Sequence, residues 1–226
     1  AALPLDGRRK KLLIADMDST IITCECIDEL ADFAGIKPQI AAITERAMRG
    51  ELDFEAALTE RVRMLEGLPV SKLEACYNER VRLNPGAKIL IQTMRANGAH
   101  TALVSGGFTF FTSRVAELVG FHEHHSNTLL MDGEMLSGKV GEPILGRDAK
   151  LATLKRLAGE LGLPLSATMA VGDGANDLAM LAEAGMGVAL HAKPQVQQSS
   201  LIRINHGDLT SLLYLQGYAR REFVAP

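Results

Sequence analysis

Near its start the chain reads Lys11-Leu12-Leu13-Ile14-Ala15-Asp16-Met17-Asp18-Ser19-Thr20. An apolar run that ends abruptly in carboxylates predicts a buried strand that carries charge to its C-terminal end. Because alternate residues of a strand face the same way, Asp16 and Asp18 are expected to project together. Two like charges so placed need a cation or a proton. Alternatively, both acids belong to a turn or a helix start, where Asp, Ser and Thr are also common.

Composition and charge narrow the class of protein. With 226 residues, 47% of them hydrophobic, the chain can form one core with an inserted piece. The formal net charge is -3 without a long run of one sign, which argues against nucleic acid or a membrane surface as partner. No apolar stretch is long enough to span a membrane, and Cys24, Cys26 and Cys76 lack metal-like spacing. We expect a cytoplasmic monomer or homodimer that acts on a small molecule.

Roughly sixty residues with helical periodicity follow the first strand. Four helices are predicted here, one from Glu25, one over 38–48, one capped by Asp53 and one opened by a Ser71–Glu74 capping box. Pro85-Gly86 then marks a return to the core. We therefore expect an inserted helical cap domain over 23–84, which selects the substrate, and a core domain formed by 1–22 and 85–226.

Strands alternate with helices through the rest of the chain. Strands are predicted over 101–104, 168–171, 187–190 and 201–204, with helices at 87–97, 108–119, 178–184 and after Asp148. A hairpin is expected for 129–131 against 135–136, turning at Asp132-Gly133, whereas 121–127 gives only a weak signal. This alternation predicts an α/β fold, a Rossmann-like parallel sheet with helices on both faces.

Three predicted strands end in polar turns, and the carboxyl ends of parallel strands share one edge of a sheet. These turns hold Asp16 with Asp18, Ser105-Gly106-Gly107, and Asp173 with Asp177. The four acids offer only oxygen ligands, which favours Mg²⁺ over zinc. The alternative for Asp173 and Asp177 is a loop acid and a helix cap.

Two further features suit a phosphoryl group. The Ser105 turn offers a hydroxyl and free backbone N–H groups at a helix start, although its glycines could serve only a tight connection. Lys150 lies in the first turn of a predicted helix, where the macrodipole disfavours a cation, so either an anion is nearby or the side chain is simply exposed. Together these parts predict phosphoryl transfer through a carboxylate nucleophile.

The motifs resemble those of the haloacid dehalogenase-like phosphatases. The four that match, in the family's order, are Asp16–Thr20, Ser105–Phe108, Lys150 and Gly172–Asp177. The likeness runs from about residue 11 to 204. Within the family, the chain is similar to the members that hydrolyse O-phospho-L-serine in the last step of serine biosynthesis.

The resemblance implies a role for each matching residue. Asp16 would be the nucleophile and Asp18 the general acid and base. Mg²⁺ would be bound by the Asp16 carboxylate, the Asp18 backbone carbonyl and Asp173. Ser105 and Gly106 would hold the phosphoryl group, Lys150 would neutralise charge and orient the nucleophile, and Asn176 and Asp177 would support the substrate and metal sites.

The cap region offers separate hints about the substrate. Arg61 lies seven residues after Phe54, within about 20° of it around a helix, and so on the apolar stripe, whereas Arg63 points away. A cation there needs an anion, either a substrate carboxylate or another acid of the cap. Glu25 is either an ordinary helix-start acid or a partner for an ammonium group. The resemblance assigns Glu25 and Arg61 to the amino and carboxylate groups of phosphoserine, and Met48 and Phe54 to the pocket wall.

Other patterns receive simpler interpretations. The run His122-Glu123-His124-His125 is expected to be a surface segment, because adjacent residues of a strand face opposite sides. A phosphotransferase on the same fold, or a phosphatase for another small ester, is the nearest alternative. A receiver-like phosphoaspartate signalling module would use similar groups, but in a compact domain without a helical insertion.

Overall fold

The fold is known from a computed structural model that describes residues 7–48, 51–146 and 148–225; the side chain of Met48 lies outside that description. The strands are β1 (Leu12–Ala15), β2 (His100–Phe108), β3 (Glu123–Asn127), β4 (Leu129–Asp132), β5 (Met135–Val140), β6 (Thr168–Gly172), β7 (Met186–Leu190) and β8 (Ile202–Ile204). The helices are α1 (Cys26–Phe33), α2 (Lys37–Met48), α3 (Phe54–Arg63), α4 (Val70–Arg80), α5 (Ala87–Ala96), α6 (Thr109–Val119), α7 (Ala149–Glu160), α8 (Leu178–Glu183), α9 (Pro194–Ser199) and α10 (Ser211–Leu215).

A parallel sheet forms the centre of the molecule. Its strand order is β3-β2-β1-β6-β7-β8, so that β1 lies between β2 and β6. β2 extends to Phe108, so Ser105-Gly106-Gly107 lies within this strand and not in the turn expected after it. All four residues of β1 are buried. The predicted α/β class and parallel sheet are confirmed.

Both faces of the sheet are covered because successive residues of β1 point to opposite sides. Leu13 and Ala15 face an apolar layer that includes α5 and α6. Leu12 and Ile14 face a second layer that includes α7 and α8. An apolar run buried on both faces is the pattern expected of a central parallel strand.

Helices α1 to α4 occupy the interval between β1 and α5, where helices are predicted. Asp53 caps α3 as expected, accepting a hydrogen bond from the N–H of Ala56 at 2.7 Å. The Ser71–Glu74 capping box is wrong, because α4 begins at Val70 with Pro69 at its N-cap position. Asp148 precedes α7 but its side chain makes no capping bond.

A short ribbon of two antiparallel segments of the chain joins this helical region to the sheet. The N–H of Thr23 donates to the carbonyl of Arg82 at 2.9 Å, and that of Asn84 donates to the carbonyl of Ile21 at 2.8 Å. Ile22 and Leu83 form an antiparallel bridge between them. The chain thus leaves and re-enters the sheet at one place, close to the end of β1.

The predicted hairpin is present as β4 and β5, which pair in antiparallel register with Asp132 opposite Met135. The weak segment over 121–127 contains a real strand, β3, at the edge of the sheet. Helices α9 and α10 had no counterpart in the sequence-based prediction. Among the described residues, no helix is both long enough and apolar enough to cross a membrane.

Candidate active site

Three carboxylates and one lysine meet at the carboxyl edge of the sheet. One oxygen from each of Asp16, Asp173 and Asp177 lies within 4.8 Å of the others, and all three residues are buried. Lys150 reaches them from α7, with its Nζ 2.7 Å from Asp16 Oδ1 and 2.6 Å from Asp177 Oδ1. Lys150 is therefore neither an exposed lysine nor a cation without a partner, because it is 4% exposed and pairs with two acids.

The charges in this cluster do not balance. Burial and the neighbouring Asp177 raise the pKa of Asp16 well above its usual value, while Lys150 opposes that rise. Burial by itself would lower the pKa of Lys150, but its two carboxylate partners raise it. Three acids against one ammonium group leave room for a cation or for protons.

The donor set fits a divalent cation with a preference for oxygen ligands. Both carboxylate oxygens of Asp177 already have partners. Oδ1 pairs with Lys150, and Oδ2 accepts the N–H groups of Asp173 and Gly174 at 3.2 and 3.0 Å. Asp16 and Asp173 keep carboxylate oxygens available for a metal ion. Burial, and then repulsion by Asp177 and Glu25, raise the pKa of Asp173 to about 6.

Gly172 makes this packing possible. A Cβ atom at that position would lie 2.3 Å from the carboxylate carbon of Asp177. The carboxylate of Asp177 can therefore sit against the end of β6 only if residue 172 has no side chain.

Asp18 lies beside the cluster with both carboxylate oxygens hydrogen-bonded. Oδ1 accepts the N–H of Cys26 at 2.9 Å, and Oδ2 accepts the Ser105 hydroxyl at 3.1 Å. Burial first, and then the charge of Glu25, raise the pKa of Asp18 to about 6. A carboxyl group with such a pKa can exist in either protonation state near neutral pH, as a proton shuttle requires.

A small cleft lies next to Lys150. It is lined by Phe54, Ser105, Gly106, Leu145, Gly146 and Asn176 among others. The Phe54 ring stands so close to Gly106 that a Cβ there would meet it at 3.0 Å. The structure thus brings Phe54 and Asn176 to the same cleft as the expected phosphoryl-binding residues.

Glu25 and Arg61 approach from the helical region. Glu25 accepts a hydrogen bond from the hydroxyl of Ser19 at 2.7 Å. Arg61 is half-buried, and desolvation lowers its pKa, with Asp28 and Glu25 opposing that effect. Within the described part of the chain, the guanidinium forms no ion pair and donates only from Nε to the carbonyl of Ala57 at 3.1 Å. Arg63 is exposed, as expected.

Comparison with known proteins agrees with this geometry. The family model described as haloacid dehalogenase-like hydrolase matches residues 13–182. The chain belongs to this family.

Relatives of this chain within the family are described more specifically, as phosphoserine phosphatases. A phosphoserine phosphatase of Polaromonas sp. (strain JS666) is 46% identical over 210 residues, which cover 91% of this chain and 89% of the relative. One of Streptomyces coelicolor is 44% identical over 99% of this chain, which spans only 54% of that relative. A solved phospho-aspartyl intermediate analogue of phosphoserine phosphatase superposes with a TM-score of 0.84 at 37% identity, covering 91% of this chain and 98% of the other.

The structure of this family member also shows a buried residue that the sequence did not single out. Asn127, at the end of β3, is 1% exposed. Its amide donates to the carbonyl of Gly106 at 3.0 Å and its oxygen accepts the N–H of Leu145 at 2.7 Å. A polar residue at a strand end was the available signal, and it was missed because 121–127 was not assigned as a strand.

The histidine-rich run does not form a metal site with its neighbours. His124 contacts the hydroxyl of Thr112, whereas Glu123 lies between His100 and His125. Among the described residues, the acidic cluster is the one group of metal-ligating side chains close enough to share an ion. Glu123, His124 and His125 belong to the half-buried edge strand β3, and His122 precedes it in an exposed position.

Proposed function

We propose that this protein hydrolyses O-phospho-L-serine to L-serine and phosphate through an aspartyl phosphate on Asp16. The observation that carries the proposal is that an acid, Glu25, lies close enough to Asp18 and Asp173 to raise their pKa values, and also acts on a cation of the helical region, Arg61. Opposite charges so placed suit a substrate with both an ammonium and a carboxylate group. The relatives described as phosphoserine phosphatases support the same substrate.

Asp16 is held for nucleophilic attack. The N–H of Met17 and the ammonium of Lys150 both contact Oδ1, at 2.7 Å in each case. These bonds fix the carboxylate, and Oδ2 is the oxygen that attacks phosphorus while the serine oxygen departs. Lys150 also neutralises charge on the transferring group.

Asp18 moves the protons. In its protonated form it gives a proton to the leaving serine oxygen, and as a carboxylate it then takes one from the water that attacks the aspartyl phosphate. Its pKa of about 6 keeps both forms accessible. The N–H of Cys26 and the hydroxyl of Ser105 hold the carboxylate in place for both steps.

The remaining groups hold the phosphoryl oxygens and the metal. Ser105, Gly106 and Asn176 line the cleft beside Lys150 and would bind those oxygens. Asp16, the backbone carbonyl of Asp18 and Asp173 would hold Mg²⁺, which when bound supplies Lewis-acid charge neutralisation. Asp177 supports both groups: its carboxylate accepts the backbone N–H of Asp173 and pairs with the ammonium group of Lys150.

The substrate's serine portion would bind under the helices. Glu25 would take the ammonium group and Arg61 the carboxylate, with Phe54 as a wall. Met48 keeps its proposed place in the pocket, although its side chain is outside the described part of the chain. We assign 23–84 to a cap domain and 1–22 with 85–226 to the core, because the ribbon at Ile22 and Leu83 is where the chain crosses between them.

The proposal also covers the cellular compartment and the oligomeric state. We place the protein in the cytoplasm, which suits the free thiols of Cys24, Cys26 and Cys76. It would work there as a monomer or homodimer.

A substrate panel tests the proposal. Phosphate release is measured with Mg²⁺ for O-phospho-L-serine, phosphothreonine, phosphoethanolamine, a sugar phosphate and a nucleotide. We expect the highest kcat/KM for phosphoserine, and a clear preference for an ester without an amino-acid end would refute it. Adding alcohols and looking for a new phosphoester separates a phosphotransferase from a hydrolase.

A further inference from the structure

The loop after β1 is held in a strained shape. The N–H groups of Thr20, Ile21 and Ile22 all point at the carbonyl of Met17, at 3.3, 2.9 and 3.0 Å. Ser19 within this loop has φ of +57°, in the left-handed region that non-glycine residues avoid. Such a conformation persists only where surrounding contacts enforce it.

Asn84 supplies one such contact from the other strand of the ribbon. Its side-chain amide donates to the carbonyls of Thr20 at 2.8 Å and Ile22 at 3.1 Å, and Ser19 O lies at the hydrogen-bond limit of 3.5 Å. An amide has two hydrogens, so the two shorter contacts use both. The turn is therefore held by two sets of hydrogen bonds: its N–H groups bond the carbonyl of Met17, and two of its carbonyls accept the side-chain amide of Asn84.

The side chains of that turn orient two groups of the site. Thr20 is fully buried, and its hydroxyl donates to Asp173 Oδ1 at 3.1 Å. The hydroxyl of Ser19 donates to Glu25 Oε1 at 2.7 Å. A shift of the turn would therefore displace two hydroxyl donors at once. One orients Asp173, a proposed metal ligand, and the other orients Glu25, the proposed partner of the substrate's ammonium group.

We propose that Asn84 is a positioning residue for the reaction, acting through the Ser19–Thr20 turn on Asp173 and Glu25. Its amide reaches the backbone carbonyls of the turn and not the side chain of Asp173 or Glu25. The inference rests on the proposed function for the identity of the substrate, but the contacts that carry it are independent of that choice. Groups that orient metal ligands typically contribute about 10- to 100-fold to metal affinity or activity.

The test compares Asn84→Ala with Asn97→Ala. Asn97 is a matched control, because among the described residues its amide makes one hydrogen bond, to the carbonyl of Thr93 on α5 at 2.9 Å. We expect Asn84→Ala to raise the Mg²⁺ concentration for half-maximal thermal stabilisation, and the KM for phosphoserine, about tenfold. Asn97→Ala should leave both values near those of the unmodified protein.

Two further variants separate positioning from a simple loss of stability. Asn84→Asp keeps the shape but turns oxygen toward carbonyl groups, so it should be at least as damaging as Asn84→Ala. Asn84→Thr retains one hydrogen-bond donor and should recover part of the Mg²⁺ affinity. If Asn84→Ala does not fold, Asn84→Thr replaces it in the comparison with Asn97→Ala. Unchanged Mg²⁺ half-saturation and KM in Asn84→Ala, or changes equal to those of Asn97→Ala, would overturn the inference. Failure of the unmodified protein to hydrolyse phosphoserine would instead count against the proposed function, since Mg²⁺ stabilisation is read without substrate.

Discussion

Single residues at the carboxyl edge of the sheet decide whether the chemistry can occur. Asp16 and Asp18 are two residues apart in the loop that follows β1, but they have different surroundings. Asp16 pairs with a buried ammonium at 2.7 Å, whereas Asp18 accepts a backbone N–H and a hydroxyl. A fixed carboxylate suits attack on phosphorus, and a carboxyl group with a pKa of about 6 suits proton transfer.

Asp16→Asn should abolish turnover while the fold remains. The amide has the shape of the carboxylate but cannot form an acyl phosphate, so phosphate release should fall about 10³-fold or more. Lys150 keeps Asp177 as partner, so the melting temperature should change little. Continued turnover at more than about a tenth of the original rate would exclude Asp16 as nucleophile.

Lys150→Met should lower the free energy of unfolding by about 3 kcal/mol or more, because it leaves Asp16 and Asp177 buried without their cation. Lys155→Met is the control on the same helix. That lysine pairs with Glu183 at 3.1 Å in an exposed position, where a pair contributes about 1 kcal/mol or less. Urea unfolding of both variants with a chelator measures the difference, and equal losses would contradict it.

At the scale of elements, the buried strands were predictable and the polar ones were not. β1 and β6 are continuous apolar runs buried on both sides, a pattern that the sequence displays directly. β3 reads Glu-His-His-Ser-Asn and exists because it pairs with β2. The start of α4 was misplaced for a similar reason, since the N–H of Val70 donates to the carbonyl of Glu134 on the hairpin turn at 2.9 Å.

Helix α3 presents its two arginines to different surroundings, which makes it a test of substrate choice. Arg61→Met should raise the KM for phosphoserine about tenfold or more, because the proposed charge-assisted bond to the substrate carboxylate is lost. Phosphoethanolamine lacks that carboxylate and should keep its KM. Arg63→Met, at the exposed position on the same helix, should affect neither substrate. An equal loss with both substrates in Arg61→Met would assign Arg61 a structural role.

At the scale of the molecule, strand order explains how much of the site could be predicted. Motifs far apart in sequence meet because β2, β1 and β6 are neighbours with their carboxyl ends together. Asn84 and Asn127 could not be placed in the same way. Each supports the site through bonds to backbone groups brought near by the fold, and a sequence pattern carries no sign of such bonds.

The whole site also links folding to pH and, through the proposed metal site, to Mg²⁺. The pKa values of Asp18 and Asp173 are raised from 3.8 to about 6, by burial first and then by neighbouring acids. In that interval the folded metal-free protein binds more protons than the unfolded chain. Its free energy of unfolding therefore receives a contribution that falls as pH rises through the interval.

Mg²⁺ should reverse part of that loss, because it binds carboxylates and not carboxylic acids. The melting temperature with Mg²⁺, minus that with a chelator, should be larger at about pH 7.5 than at about pH 5. Taking this difference at each pH removes the contribution of carboxylates elsewhere in the chain. In Asp173→Asn the Mg²⁺-dependent increase should shrink at the higher pH, since one proposed ligand is lost. An increase of the same size at both pH values would show that ion binding does not depend on deprotonating these buried acids.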